Sequence, residues 1–181
     1  MSPLLAWREP IYILACFAGI IGLALLFLQP LMIGGYLPGV PARLRNTLHA
    51  LIGFLVLASV LIHVGGLYIT SPPDVMDALF LRSPTPFSIW GVMAMWAVLT
   101  TALLAAFRSR WRLPNLIWRA AHASLAIVIV AGTVAHALLI EGTMGTLSKI
   151  ALCALVLAAT FKVIADRRTW SVVFRRRHAG R

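Results

Sequence analysis

Four histidines lie inside long apolar stretches of this chain, and they form two pairs with the same spacing. His49 and His63 are 14 residues apart, and so are His122 and His136. An ionisable side chain within a membrane-spanning segment is energetically costly, which makes it a candidate functional residue. A neutral imidazole is also a common metal ligand. The two matched pairs therefore predict metal cofactors rather than four isolated polar side chains.

The spacing limits how many metal centres the histidines can serve. In an α-helix, 14 residues rise about 21 Å and return to within about 40° of the starting direction. The two histidines of one helix therefore share a face. They are too far apart to bind one metal ion, because bonds between a metal and a histidine nitrogen are about 2 Å long. We expect two separate cofactors at different depths in the membrane.

The segments that carry these histidines are typical of membrane spans. The chain has 181 residues, of which 61% are hydrophobic and 12% are charged, whereas soluble domains contain about 25% charged residues. A span requires about 20 apolar residues, and five segments qualify: residues 11–28, 47–69, 87–107, 117–140 and 147–165. None alternates in polarity as a barrel strand would, so we expect helices.

The fold class predicted is therefore an all-α integral membrane bundle of about five helices, with residues 1–181 forming a single domain. Proline and glycine are concentrated in residues 29–41 and 71–86, which predicts connecting loops there. We expect a multi-pass protein of the inner (plasma) membrane.

The distribution of basic residues predicts the orientation of the bundle. The net charge is +11, and in a membrane protein such an excess reflects topology and contact with anionic lipid rather than nucleic acid. Thirteen basic residues fall on one side: Arg43, Arg45, Arg108, Arg110, Arg112, Arg119, Lys162, Arg167, Arg168, Arg175, Arg176, Arg177 and Arg181. The other side has Arg8, Arg82 and Lys149. We expect a cytoplasmic C-terminus with a basic tail over residues 166–181, and an N-terminus outside.

The order of the spans predicts which histidines meet. The second and fourth spans run parallel, because a single span separates them. His49 and His122 then lie near the cytoplasmic ends, and His63 and His136 lie near the outer ends. We expect His49 to pair with His122 and His63 with His136, with a flat macrocycle held edge-on between each pair.

Small and basic residues near the histidines are further candidates for the cofactor site. Gly53 and Gly132 each lie four residues from a histidine of the same helix, where they would leave room for a porphyrin. Close packing of membrane helices is the other interpretation of such glycines. Arg45 and Arg119 precede His49 and His122. They could pair with the propionates of a heme bound between these two histidines, the inner heme. They could equally be positive-inside anchors at the helix ends.

These motifs resemble the ferric reductase-like transmembrane domain family, which includes the heme cores of ferric reductases and NADPH oxidases and the bacterial heme subunit for methionine sulfoxide reductase. The resemblance covers residues 40–140 and rests on Leu48, His49 and Gly53 continuing to His63, and on Trp118, Arg119 and His122 continuing to His136. Residues 103–115 resemble the short basic loop of the family that leads into the second histidine helix.

The resemblance implies two b-type hemes and one-electron transfer across the membrane. Electrons would pass from a cytoplasmic-side or membrane donor to the inner heme, then to the outer heme, and then to ferric iron or a periplasmic redox protein. No counterpart of the family's FAD- and NAD(P)H-binding domains is expected here. The chain would then be the heme subunit of a membrane oxidoreductase, and a flavoprotein or a quinol would be its separate electron donor.

Two other functions fit the paired histidines. Respiratory cytochrome b uses pairs with this spacing on parallel helices, so a quinol-oxidising cytochrome b subunit is one alternative. A transporter or proton-conducting protein with histidine relays and no heme is the other. A b-type heme spectrum would separate the second alternative from the electron carriers.

Overall fold

The computed structural model describes residues 8–141 and 144–167. This part of the chain forms six helices: α1 (Pro10–Gly34), α2 (Ala42–Thr70), α3 (Pro72–Leu79), α4 (Pro86–Phe107), α5 (Asn115–Leu139) and α6 (Thr146–Arg167). All of them except α3 are long and apolar enough to cross a membrane. The prediction of an all-α fold with five spans is confirmed. The predicted basic tail lies outside the described residues except for its first two positions.

The first span is longer than predicted, because α1 continues through Pro30 into the expected loop. Proline lacks the N–H that would bond to the carbonyl of Leu26, but membrane helices tolerate proline where neighbouring helices cover the site. The helix ends at Gly35, whose φ of 75° is in the left-handed region. Gly35 donates to the carbonyl oxygens of Leu31 and Met32, and Tyr36 donates to that of Leu31. These bonds satisfy carbonyls that a helix end otherwise leaves unpaired.

The segment predicted as a loop at residues 71–86 instead begins with the short helix α3. Pro72 and Pro73 favoured the prediction of a loop. Both lie in the first turn of α3, however, where the N–H groups have no partner within the helix and proline is well tolerated. Asp74 also lies in this turn and accepts a hydrogen bond from the Ser71 hydroxyl at 2.5 Å. A carboxylate at the first turn is favourable for a helix.

The helices that carry the histidines pack mainly against other helices and not against each other. α1 packs along α2, and α4 packs along α5. α6 lies against α1 and α5. α2 and α5 approach each other at too few positions to form a packed pair. The bundle therefore has a gap between its two histidine helices, with α1 and α4 beside it.

An apolar layer divides this gap at mid-height. Val56 lies seven residues from both His49 and His63 on α2, and Ile129 lies seven residues from both His122 and His136 on α5. Both side chains are buried in one core cluster, which also includes Leu23, Leu26, Val98 and Val130. The core thus separates the level of His49 and His122 from the level of His63 and His136.

The outer surface of the bundle is strongly apolar. Large side chains such as Leu14, Phe54 and Phe161 are 61%, 65% and 76% exposed. Many exposed apolar side chains on a soluble monomer would drive association. On a helix that faces lipid they are expected. The five spans and this surface identify a multi-pass membrane protein.

Candidate functional site

The structure brings the four histidines together as two pairs across the gap. His63 faces His136 with ring centres 6.3 Å apart and ring planes at 79°. His49 faces His122 with ring centres 6.0 Å apart and ring planes at 69°. These are the partners expected from the spacing, and their role as metal ligands stays a prediction.

A backbone carbonyl fixes the tautomer of each histidine in the His63–His136 pair. His63 donates from Nδ1 to the carbonyl oxygen of Ala15 on α1 at 2.7 Å. His136 donates from Nδ1 to the carbonyl oxygen of Phe87 on α4 at 2.9 Å. A carbonyl can only accept, so the proton of each neutral imidazole is on Nδ1 and the lone pair is on Nε2. Metal-binding histidines commonly have this second hydrogen bond, which orients the ring.

A glycine makes each of these carbonyls accessible. Gly19 lies four residues after Ala15, and Gly91 lies four residues after Phe87, so each glycine lies over the carbonyl that accepts the hydrogen bond. A Cβ added at Gly19 would lie 3.0 Å from Nδ1 of His63. A Cβ added at Gly91 would lie 2.7 Å from Nδ1 of His136. The outer rings therefore pack directly on glycine backbone.

Sequence reasoning missed Gly19 and Gly91, although the sequence holds a signal for them. The predicted glycines, Gly53 and Gly132, lie on the histidine helices themselves, whereas Gly19 and Gly91 lie on the neighbouring helices α1 and α4. Each is at the height of an outer histidine in the adjacent antiparallel span. Matching the heights of residues in adjacent spans would have identified both glycines.

The His49–His122 pair is held less firmly. Nδ1 of His49 lies 3.4 Å from the carbonyl oxygen of Gln29, and the Gln29 side-chain amide donates to the His49 carbonyl oxygen at 3.3 Å. Nδ1 of His122 is buried and has no hydrogen-bond partner among the described residues. Its ring stacks on Trp118, with centres 5.2 Å apart and planes at 24°. The Trp118 ring thus positions His122, whereas the Phe87 carbonyl positions His136.

Gly53 and Gly132, the two glycines predicted to border the cofactor, both lie close to a neighbouring helix. A Cβ at Gly53 would lie 3.1 Å from the Gln29 amide nitrogen. A Cβ at Gly132 would lie 2.9 Å from the carbonyl oxygen of Trp90 on α4. Both glycines allow a neighbouring helix to approach closely, as small residues do in membrane bundles. Their predicted contact with a porphyrin stays a prediction.

Arg45 and Arg119 differ in their surroundings. The Arg45 guanidinium lies against Gly35 at the end of α1, and its Nε is buried without a hydrogen-bond partner among the described residues. Arg119 is exposed. Arg45 is therefore the better placed of the two to meet an anionic group beside the inner histidines.

At the level of His63 and His136, the predicted outer pair, the gap forms a cavity of about 520 Å³. This volume is within the range of about 300–1000 Å³ found for ligand sites. The wall is mainly apolar, and polar side chains are concentrated at the end near α3: Thr70, Ser71, Asp74, Ser83, Thr85, Ser88 and Lys149. This lining suits a large, mostly apolar ligand with a polar edge.

The comparison with family models decides the classification. The model described as ferric reductase like transmembrane component matches residues 14–133, about two thirds of the chain. The chain belongs to the ferric reductase-like transmembrane family. Comparisons with curated proteins and with solved structures found no match. The matched segment contains His49, His63 and His122 and ends three residues before His136.

Ferric reductase-like domains are generally heme-binding, and the distances between the rings allow a direct test of fit. An iron bound to two imidazoles has two iron–nitrogen bonds of about 2 Å, and each ring adds about 1 Å to its centre, so the ring centres lie about 6 Å apart. The observed separations are 6.0 and 6.3 Å. Both pairs therefore have the spacing that a shared iron requires.

The number of available ligands also fits a heme better than a bare metal ion. No group of three or more His, Cys, Asp or Glu side chains in residues 8–141 and 144–167 could hold a metal ion. A structural zinc site needs about four protein ligands. A heme iron takes four nitrogens from its porphyrin and needs only two from the protein, which matches the number of histidines in each pair.

Proposed function

We propose that this chain is a di-heme b-type transmembrane electron carrier. It would pass electrons from a cytoplasmic-side flavoprotein or a quinol to an acceptor outside, either ferric iron or a periplasmic redox protein. Family membership supports a membrane electron-transfer role. The observation that carries the di-heme proposal is that α2 and α5 present two facing pairs of imidazoles, with ring centres 6.0 Å and 6.3 Å apart.

The chain's own residues would hold, orient and shield the cofactors. His49 and His122 would hold one heme through their imidazole nitrogens, and His63 and His136 would hold the other. The carbonyl groups of Ala15 and Phe87 hold the outer rings in the tautomer that ligation needs. The apolar core around Val56 and Ile129 excludes water between the two levels. When bound, a heme held by two imidazoles would supply one-electron transfer chemistry.

A relay of protons through the histidines is the weaker candidate. A relay requires ring nitrogens that exchange protons along a chain of donors and acceptors. His63 and His136 instead donate to main-chain carbonyls of α1 and α4, and a carbonyl oxygen cannot pass a proton on. The hydrogen bonds thus favour fixed ligands over mobile proton carriers.

The donor can be identified with purified protein in lipid. A quinol and a flavoprotein with NAD(P)H are offered separately, and the reduced-minus-oxidised absorbance of the b-type α-band is followed over time. Rapid reduction by one donor and not by the other identifies the donor class. Reduction by quinol alone favours the quinol-oxidising cytochrome b alternative over a flavoprotein-coupled reductase. Protein with no b-type band contradicts the proposed function.

The orientation of the spans is tested by labelling single cysteines. With Arg108–Arg112 in the cytoplasm, Arg110→Cys should react with a membrane-impermeant maleimide only after cells are permeabilised. Ser83→Cys, at the other end of α4, should react in intact cells. The native Cys16 and Cys153 are buried and are replaced in both variants. The reverse pattern would invert the proposed direction of electron flow.

The two hemes should differ in midpoint potential. A hydrogen bond from Nδ1–H to a carbonyl makes an imidazole a stronger electron donor to iron, which favours the ferric state. Both outer histidines make this bond, whereas His122 lacks it. We therefore expect a potentiometric titration with two steps, and the lower step should belong to the outer heme. His63→Ala should remove the lower step, and removal of the higher step instead would refute this assignment.

A further inference from the structure

Lys149 is a buried lysine that neither the predicted site nor the family match includes. It lies in the first turn of α6, beyond the matched residues 14–133. A lysine near a helix end in a membrane usually extends its ammonium group to water. Lys149 is only 9% exposed, and it lines the cavity that contains His63 and His136. Its side chain is therefore turned toward the candidate heme site.

The position of the Lys149 ammonium is set by the end of α5. Nζ donates to the carbonyl oxygen of Ile140 at 2.6 Å. Ile140 lies four residues after His136 and donates its own N–H to the His136 carbonyl oxygen. Four residues correspond to a rise of about 6 Å. The ammonium is thus held about one helical turn beyond the outer histidine.

Lys149 has no carboxylate partner in the part of the chain that the structure describes. The ion pair found there joins Lys162 to Asp166 on α6. Asp74 lines the same cavity, but its carboxylate accepts from Ser71. A buried ammonium with one carbonyl partner is costly unless an anion compensates it. No carboxylate of the described residues lies within ion-pair distance of the Lys149 ammonium.

We propose that Lys149 binds a carboxylate of the ligand in the outer cavity, namely a propionate of the outer heme. This inference rests on the proposed function, because it takes the outer cavity as a heme site. The ammonium is at the polar end of a mainly apolar cavity, one turn beyond a candidate iron ligand. An anionic edge on an apolar ring fits this arrangement.

The first test compares Lys149→Met, which removes the charge and keeps the length, with Lys149→Arg, which keeps the charge. Release of heme from purified protein to a heme scavenger is followed by absorbance. We expect Lys149→Met to release the outer heme about tenfold faster, as the loss of a charge-assisted hydrogen bond implies. Lys149→Arg should stay close to the wild type. Release of the inner heme serves as the internal control for folding and should not change.

The second test separates a heme propionate from a free carboxylate in the same cavity. Wild-type and Lys149→Met proteins are reconstituted with iron protoporphyrin IX or with its dimethyl ester, which has no propionate charge. With the ester, the two proteins should release the outer heme at equal rates. A difference that persists with the ester overturns the proposal, because the ammonium would then serve another anion or the fold alone.

The two proposals fail in distinguishable ways. Wild-type protein that binds no heme contradicts the proposed function. Wild-type protein with two hemes, together with an unchanged release rate in Lys149→Met, contradicts only the role of Lys149. If Asp74 were the partner of Lys149, Asp74→Asn would accelerate release as much as Lys149→Met does, and that result would also overturn the proposal.

Discussion

His63→Ala and His136→Ala are each expected to lower the heme content from two per chain to one. The ring centres of these residues are 6.3 Å apart, so each would supply one nitrogen ligand to the same iron. Removing one ring leaves the other imidazole as the only protein ligand in a wide, mainly apolar cavity. The measurement is the pyridine hemochrome content per purified chain.

The inner histidines and the tail histidine provide the controls for this experiment. His49→Ala should also leave one heme, but its redox titration should retain the lower-potential step rather than the higher one. His178→Ala changes a histidine with no predicted role, outside the described residues, and should keep both hemes. An outer-histidine variant that retains two hemes would refute the pairing of His63 with His136.

Gly91→Ala is expected to remove the outer heme, although it adds a single methyl group. The new Cβ would lie 2.7 Å from Nδ1 of His136, closer than two such atoms can remain, and 3.0 Å from Cε1. The ring must move and lose its hydrogen bond to the Phe87 carbonyl. Alanine is the better helix former by about 1 kcal/mol, so a weaker helix cannot explain a loss. About half of the total heme should disappear from the purified protein.

Gly65→Ala is the matched control for Gly91→Ala. Nothing lies within 4 Å of a Cβ built at Gly65, and the residue is also in the interior of a membrane helix. Both hemes should remain, with unchanged or slightly higher thermal stability. Gly19→Ala should have an intermediate effect, since its Cβ would lie 3.0 Å from Nδ1 of His63. Equal heme loss in Gly65→Ala and Gly91→Ala would contradict the account of the outer rings.

The sequence predicted the number of spans, because five apolar segments of sufficient length cannot be accommodated in water. It also predicted which histidines meet. With one span between them, the second and fourth spans must be parallel, and a spacing of 14 residues puts His49 and His63 at the same two heights as His122 and His136. Hydrophobicity and helical periodicity, both local properties, were enough for these features.

Features that depend on contacts between helices were harder to predict. The first span was predicted to end at residue 28, before Pro30, and residues 71–86, which include Pro72 and Pro73, were predicted to form a loop. Local turn chemistry does not report whether a neighbouring helix covers the backbone. The roles of Gly19 and Gly91 were missed for a similar reason. Their function is to expose a carbonyl to a histidine of another helix, and that relation appears only when the helices are aligned in space.

The heme b content of the purified, unmodified chain tests the central claim most directly. The protein is expressed with heme supply, purified in mild detergent or lipid, and analysed by the pyridine hemochrome spectrum against protein concentration. The account predicts a b-type spectrum with two hemes per chain. A heme-to-protein ratio near zero would contradict it, since the four imidazoles would then have some function other than ligation.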